Sequence, residues 1–223
     1  GGSIARVNKL EQIITGPDSA GSLPGPACYC NGGTLPTITD ADLVIGKINP
    51  ENFAGGKIKL SKDLATNAIT KNISQIVNLD TYTAALAISE IVDETMSNAA
   101  RVHTVEQGHE TSNRTLIAFG GAAPLHVARV AEKLKVSSII IPTNASVGSA
   151  VGFLKTPVGY EVVKSLRMLL KGFQLKKVNN LLKTMREEAE KVIENKSEKN
   201  NFTEERFAYM RYAGQGHEIK VPI

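Results

Sequence analysis

Tryptophan is missing from this sequence altogether, and aromatic residues make up only 5% of its 223 positions. A core assembled without large rings has to be aliphatic, and a 42% hydrophobic, 22% charged composition is ordinary for a folded globular chain. Cysteine is almost as scarce. Cys28 and Cys30 stand one residue apart in a Gly/Pro-rich stretch, too close for an unstrained disulfide, which points to a reduced, cytoplasmic protein. The four histidines (His103, His109, His126 and His217) fall into neither an HExxH pattern nor paired CxxC spacing, so no metal ligands are assigned. Long apolar runs are also lacking. Stretches such as 138–141 are far too short to cross a bilayer, and no basic, then apolar, leader opens the chain. The first residue is Gly rather than Met and the last three, Val221-Pro222-Ile223, read as strand, so both ends look like cuts through a longer protein.

A net charge of +4 with a pI near 9.0 raises the question of nucleic acid. The basic residues are dispersed, however, and where they gather, between Lys171 and Lys199, they alternate with Glu as on a solvated helix face. Neither a nucleic acid nor a membrane is expected as a partner.

From Gly1 to about Leu60 the chain is punctuated by Gly and Pro, which predicts short strands and ordered loops. Apolar residues at Ala84, Ala85, Ile88, Ile91, Val92, Met96 and Ala99 predict a helix over 80–102, with Asp80 or Thr81 as its cap. Strand 115–119, helix 125–134 and strand 137–142 form a βαβ unit, for which a parallel pair is the default. A further helix is expected over 144–154, a strand over 161–170, a long amphipathic helix over 175–195, a polar linker over 196–201 and a strand over 206–213. The fold class is therefore α/β. The expected division is a first domain at 1–171 and a smaller α+β module at 172–223.

Three segments can carry chemistry. Gly120-Gly121-Ala122-Ala123-Pro124-Leu125-His126 lies between a strand and a helix, where residues without a Cβ let a ligand approach the backbone and the helix's first amides favour a phosphate or a nucleotide edge. The same text also fits a plain tight turn, and His126 fits a structural role as well as a site role. Gly1-Gly2-Ser3 can cradle a phosphate or be a mere linker. In Thr37-Ile38-Thr39-Asp40-Ala41-Asp42 the oxygens can position a magnesium-bound water or cap a helix running through Leu43 to Ile48.

Taken in order, Gly1 to Val7, Gly16-Pro17-Asp18-Ser19-Ala20-Gly21, Pro24-Gly25-Pro26-Ala27-Cys28-Tyr29, Gly32-Gly33-Thr34, Pro36-Thr37, Thr39-Asp40-Ala41, Ala118 to His126, and Arg211 to Glu218 resemble the hydantoinase A / 5-oxoprolinase family. The resemblance covers nearly the whole chain. It implies half of an actin-, sugar-kinase- and Hsp70-like ATPase fold, using ATP and Mg2+, that phosphorylates the carbonyl oxygen of a cyclic amide such as a hydantoin or 5-oxoproline so that water can open the ring. Gly1, Gly2 and Ser3 would then end the second phosphate loop. Gly120, Gly121 and Pro124 would shape the adenosine turn, and Asp40 and His126 would be candidate catalytic residues. A companion hydantoinase B-type subunit is implied too. An acetone-carboxylase-like subunit, or a non-catalytic nucleotide-binding or assembly module, are the alternatives. The chain departs from the pattern in having Ala123 where Gly is usual and in having no Asp-x-Gly-x-Thr first phosphate loop, which is expected upstream, leaving these residues inactive alone.

Overall fold

The computed structural model describes residues 2–193 and 202–223, so Gly1 and the expected linker at 196–201 lie outside the described residues. The chain divides into two compact units, Gly1–Leu154 and Lys155–Ile223.

The first unit opens with an antiparallel hairpin of β1 (Ser3–Val7) and β2 (Ile13–Ser19). A loop leads to α1 (Ile38–Val44), and an isolated bridge pairs Ile4 with Thr37. The expected cap is present, but it begins the helix at Ile38 rather than Leu43. Thr37 accepts from the Asp40 amide and Asp40 accepts from the Thr37 amide, a reciprocal capping box that satisfies the first turn's donors. Next comes α2 (Lys62–Ile69), capped by the Ser61 hydroxyl, then a wider π turn at Thr70–Ser74 and a last turn, α3 (Gln75–Val77). These helices were not anticipated from sequence, because their apolar residues are sparse and broken by Thr and Asn.

The central element is α4 (Thr81–Glu106), capped by Asp80 as expected and four residues longer at its end than the apolar pattern. Its face carrying Ala84, Ala85 and Ile88 is fully buried against Ala41 and Leu43 of α1 and Ala65, Ile69 and Ile73. Alanines at the contacts let the helices approach closely, while Leu43, Ile69, Ile73 and Ile88 fill the space between them.

The predicted βαβ unit is present. β3 (Thr115–Ile117) and β4 (Ser138–Ile140) run parallel in register Leu116↔Ile139, joined through α5 (Ala123–Leu134). A second cluster of Val130, Ala131, Leu134 and Val136 packs with Leu116 and with Ala100 of α4. Successive strand residues face opposite ways, so the paired Ile117 and Ile140 lie on the other face, where both are exposed. A 3-10 turn at Ala145–Val147 leads into α6 (Gly148–Lys155).

In the second unit, α7 (Leu175–Ile193) carries the expected amphipathic pattern, and β5 (Phe207–Met210) pairs antiparallel with β6 (Ile219–Pro222). The strand expected over 161–170 does not form. No strand among the described residues pairs with the segment, and without a partner a chain forms no sheet. No helix among the described residues is long and apolar enough to cross a membrane.

The packing generates a direct expectation for the hub. Ile88→Ala removes a fully buried side chain from the α1–α2–α4 contact and should destabilise the fold by about 2–4 kcal/mol. Urea denaturation would report this as a lower midpoint with an unchanged slope.

Candidate functional site

The two carboxylates of α1 that are two residues apart serve different surroundings. Asp40 is fully buried. It accepts from the amides of Ala27 (3.2 Å), Cys28 (2.7 Å) and Thr37 (2.8 Å) and from the Thr37 hydroxyl (2.8 Å). The candidate catalytic carboxylate is thus occupied by donors of its own chain, and it fastens the Gly/Pro-rich loop to the start of α1. Burial, with the Asp40 carboxylate beside it, pushes the Cys28 thiol far above its ordinary range and leaves it inert.

Asp42 points into a different cluster. His126, only 4% exposed, stands between it and Asp93 of α4. The ring's Nδ1 lies 2.8 Å from Asp93 Oδ1 and its Nε2 lies 3.2 Å from Asp42 Oδ2. Lys47, just beyond α1, brings its ammonium to 3.7 Å from Asp42 Oδ1 and 3.8 Å from Asp93 Oδ2, and donates to the Ser89 hydroxyl at 2.8 Å. Ser89 in turn donates to Asp42 at 3.2 Å. Two carboxylates thus face two cations, and each buried group has a partner, the condition under which such burial is tolerated.

Hydrogen bonds to Asp42 and then Asp93 raise the His126 pKa from 6.5 to about 9, against the opposing effect of burial. The ring is therefore an imidazolium, hydrogen-bonded through Nδ1 to Asp93 and ion-paired through Nε2 with Asp42. By contrast, the Arg129–Glu90 and Lys133–Glu94 pairs that also join α5 to α4 lie at the surface, with both carboxylates in reach of solvent, and contribute little.

The Gly120-Gly121 turn lies at the carboxyl end of β3, directly before α5. Gly120 has φ +99°, and nothing lies within 4 Å of where a Cβ on Gly120 or Gly121 would project. Backbone is therefore presented bare. The Gly120 amide donates to the Ala145 carbonyl at 2.6 Å, which anchors the turn to the segment after β4. Pro124 sits within the first turn of α5, where its missing N–H leaves no intrahelical bond unmade, and no side chain caps that helix.

At the other end of the unit, Ser3 begins β1 opposite Ser19, and the Gly2 carbonyl accepts from Ala20. A Cβ on Gly2 would meet the Ser19 hydroxyl at 2.9 Å. Because Ile4 bridges to Thr37 and Ala5 donates to the Pro36 carbonyl, this hairpin is docked on the amino end of α1. Of the sequence-derived candidates, Ser3 lies in the hairpin docked beside the start of α1, the helix that carries Asp40, while Gly120, Gly121, Pro124 and His126 lie in the turn before α5 and its opening turns.

Asp93, Ser89 and Lys47 were not singled out from the sequence, and Asp42 was named only within the segment 37–42, as a magnesium or capping group rather than a partner of His126. The signal was available: Ser89, Asp93 and Ser97 recur every four residues inside the apolar stripe of α4, a polar line that must find a polar partner.

The family model described as Hydantoinase/oxoprolinase matches residues 1–161. The caprolactamase subunit alpha of Pseudomonas jessenii is 33% identical over 227 residues, covering 100% of this chain and 33% of the relative. The 5-oxoprolinase of Saccharomyces cerevisiae is 30% identical over 226 residues, covering 96% of this chain and 18% of the relative. The acetophenone carboxylase gamma subunit of Aromatoleum aromaticum is 46% identical over 129 residues, 57% of this chain and 18% of the relative. Among solved structures, a nucleotide-free acetone carboxylase superposes with a TM-score of 0.75 at 25% identity, over 99% of this chain and 32% of that one. The ATP-dependent caprolactamase of P. jessenii gives 0.70 at 30% identity, over 100% and 33%. The chain spans about a third or less of the length of the relatives it matches.

Two outcomes are expected of the buried carboxylates. Asp40→Ala leaves three buried amides without an acceptor and should cost about 3 kcal/mol or more, read by denaturant titration. Because the folded-state pKa of His126 is raised, its stabilisation is complete below pH 6.5 and is lost as pH rises through about 9. Thermal melting should fall over that window; a melting temperature constant from pH 6.5 to above 9 would contradict the assignment.

Proposed function

The chain belongs to the hydantoinase/oxoprolinase family, and from that premise we propose that it forms the second half of an actin- and sugar-kinase-like ATPase domain within a longer ATP-dependent enzyme. The observation that carries this reading is the Gly120-Gly121 turn: uncovered backbone at the carboxyl end of a parallel strand, with an uncapped helix start immediately behind it. Ligands of open α/β folds bind at such strand ends, and a flat nucleoside can lie against backbone that carries no Cβ. In this reading Gly120, Gly121 and Pro124 shape the adenosine contact. Gly2 and Ser3, with Gly1 before them, lie toward the phosphates.

The reaction is the opening of a cyclic amide, in the class of hydantoins and 5-oxoproline. Amide resonance makes direct attack by water slow. Transfer of the ATP γ-phosphoryl group to the carbonyl oxygen makes the ring carbon electrophilic, water adds there, the ring C–N bond breaks with the nitrogen taking up a proton, and a second water cleaves the resulting acyl phosphate to release inorganic phosphate. The residues described here bind and orient the nucleotide. Asp40 braces the loop that supports the phosphate side and has no free oxygen to hold a magnesium ion, so Mg2+ would take its protein ligands elsewhere. The subunit names of the relatives favour a companion of the hydantoinase B type.

A second reading keeps the same ATP-driven activation of a carbonyl oxygen but directs it to carboxylation. It is favoured by the 46% identity to an acetophenone carboxylase subunit and by the acetone carboxylase superposition.

Phosphate release by the full-length protein with its companion subunit separates these readings. It should be challenged in turn with 5-oxoproline, N-methylhydantoin, caprolactam, and acetone plus bicarbonate. Release coupled to ring opening supports the hydrolase, release dependent on acetone and bicarbonate supports the carboxylase, and no stimulated release overturns both in favour of a non-catalytic nucleotide-binding or assembly module. In the same protein, Gly121→Arg should abolish ATP binding without unfolding the chain, since the structure leaves room for a side chain there. Unchanged ATP affinity in that variant removes the adenosine-turn assignment.

A further inference from the structure

His126 lies in the opening turns of α5, and α5 starts directly after Gly120-Gly121-Ala122. Its two ring nitrogens engage different elements, Asp93 of α4 at 2.8 Å and Asp42 of α1 at 3.2 Å. The amino end of α1 in turn holds the β1–β2 hairpin, through the Ile4–Thr37 bridge and the bond from Ala5 to Pro36. One side chain thus connects the helix behind the Gly-Gly turn to the helix on which the hairpin rests.

We propose that His126 is a positioning residue for the nucleotide: by spanning Asp42 and Asp93 it sets the Gly120-Gly121 turn relative to α1 and the β1–β2 hairpin, and thereby sets ATP affinity. It does not touch the reacting atoms. The ring is buried, and both of its polar atoms are used within the chain. This rests on reading the Gly-Gly turn as the adenosine contact.

The groups facing the ring are Asp42 from α1, and Asp93 from α4 with Ser89 behind it. Lys47 closes the cluster from the solvent side. When the ring loses a proton, one nitrogen presents a lone pair to a carboxylate oxygen, at 2.8 or 3.2 Å, and one arm of the clamp becomes repulsive.

The test is steady-state ATP hydrolysis by the full-length protein with its companion subunit, with ATP varied. His126→Gln should raise the KM for ATP by about tenfold or more while kcat at saturating ATP stays within about threefold. In the wild type the KM should also rise as pH passes through about 9, and in His126→Gln, which has no ring proton to lose, that rise should be absent. A His126→Gln enzyme with unchanged KM overturns the proposal, whether its kcat collapses, as for a group at the reacting atoms, or stays the same.

If His126→Gln does not fold, the wild type decides alone: a KM for ATP that stays level from pH 6.5 to above 9 overturns the proposal. Gly121→Arg separates the two levels. A KM indifferent to Gly121→Arg removes the turn assignment itself, whereas one that responds to Gly121→Arg but not to His126→Gln removes the clamp alone.

Discussion

Three ionisable groups buried together, with Lys47 at their solvent edge, have to stay together. Separating Asp42, Asp93 or His126 from its partners would leave an uncompensated charge in a low-dielectric interior, a penalty of about 3–5 kcal/mol that rivals the stability of a domain. Apolar contacts between α1, α4 and α5 can slide by fractions of an ångström at little cost. The imidazole cannot, because its two nitrogens point in fixed directions and each must meet an oxygen. The ring therefore converts a greasy, tolerant three-helix contact into one with a single register, and the alanines at Ala41, Ala84 and Ala85 permit the close approach that this register needs.

The neighbouring Asp40 shows how far position decides the work of a carboxylate. It shares a short helix with Asp42 and is equally buried, yet its oxygens face amides rather than cations. Its bonds hold a loop rich in Gly and Pro, a composition that would otherwise keep much conformational freedom. One helix of seven residues thus carries two different fasteners, one for the loop before it and one for the helices behind it.

Much of this was legible in the sequence because it is local. The period of α4, its Asp80 cap, the βαβ unit and the Gly-Gly turn all follow from residues within a few positions of each other. The start of α1 was misplaced because the reciprocal cap uses Asp40 as its third helical residue, which looks like a continuing loop until the pairing is seen. The strand expected at 161–170 has the right composition, but a strand exists only by virtue of a partner, and composition says nothing about partners. His126 was visible as a candidate, its clamp was not. Asp42 and Asp93 are 51 positions apart in sequence, and only tertiary packing brings them to one ring.

The β3–β4 pair has a consequence of a different kind. Two short parallel strands expose Ile117 and Ile140 on one face and, among the described residues, pair only with each other. Unpaired edges flanked by aliphatic side chains invite pairing with any strand of suitable length, including the same segment of another molecule. From the moment the chain folds, that surface sets a deadline: until it is covered, it is open to a chaperone, a protease or a second copy. The order in which the protein is made and assembled is in this sense written on one small sheet.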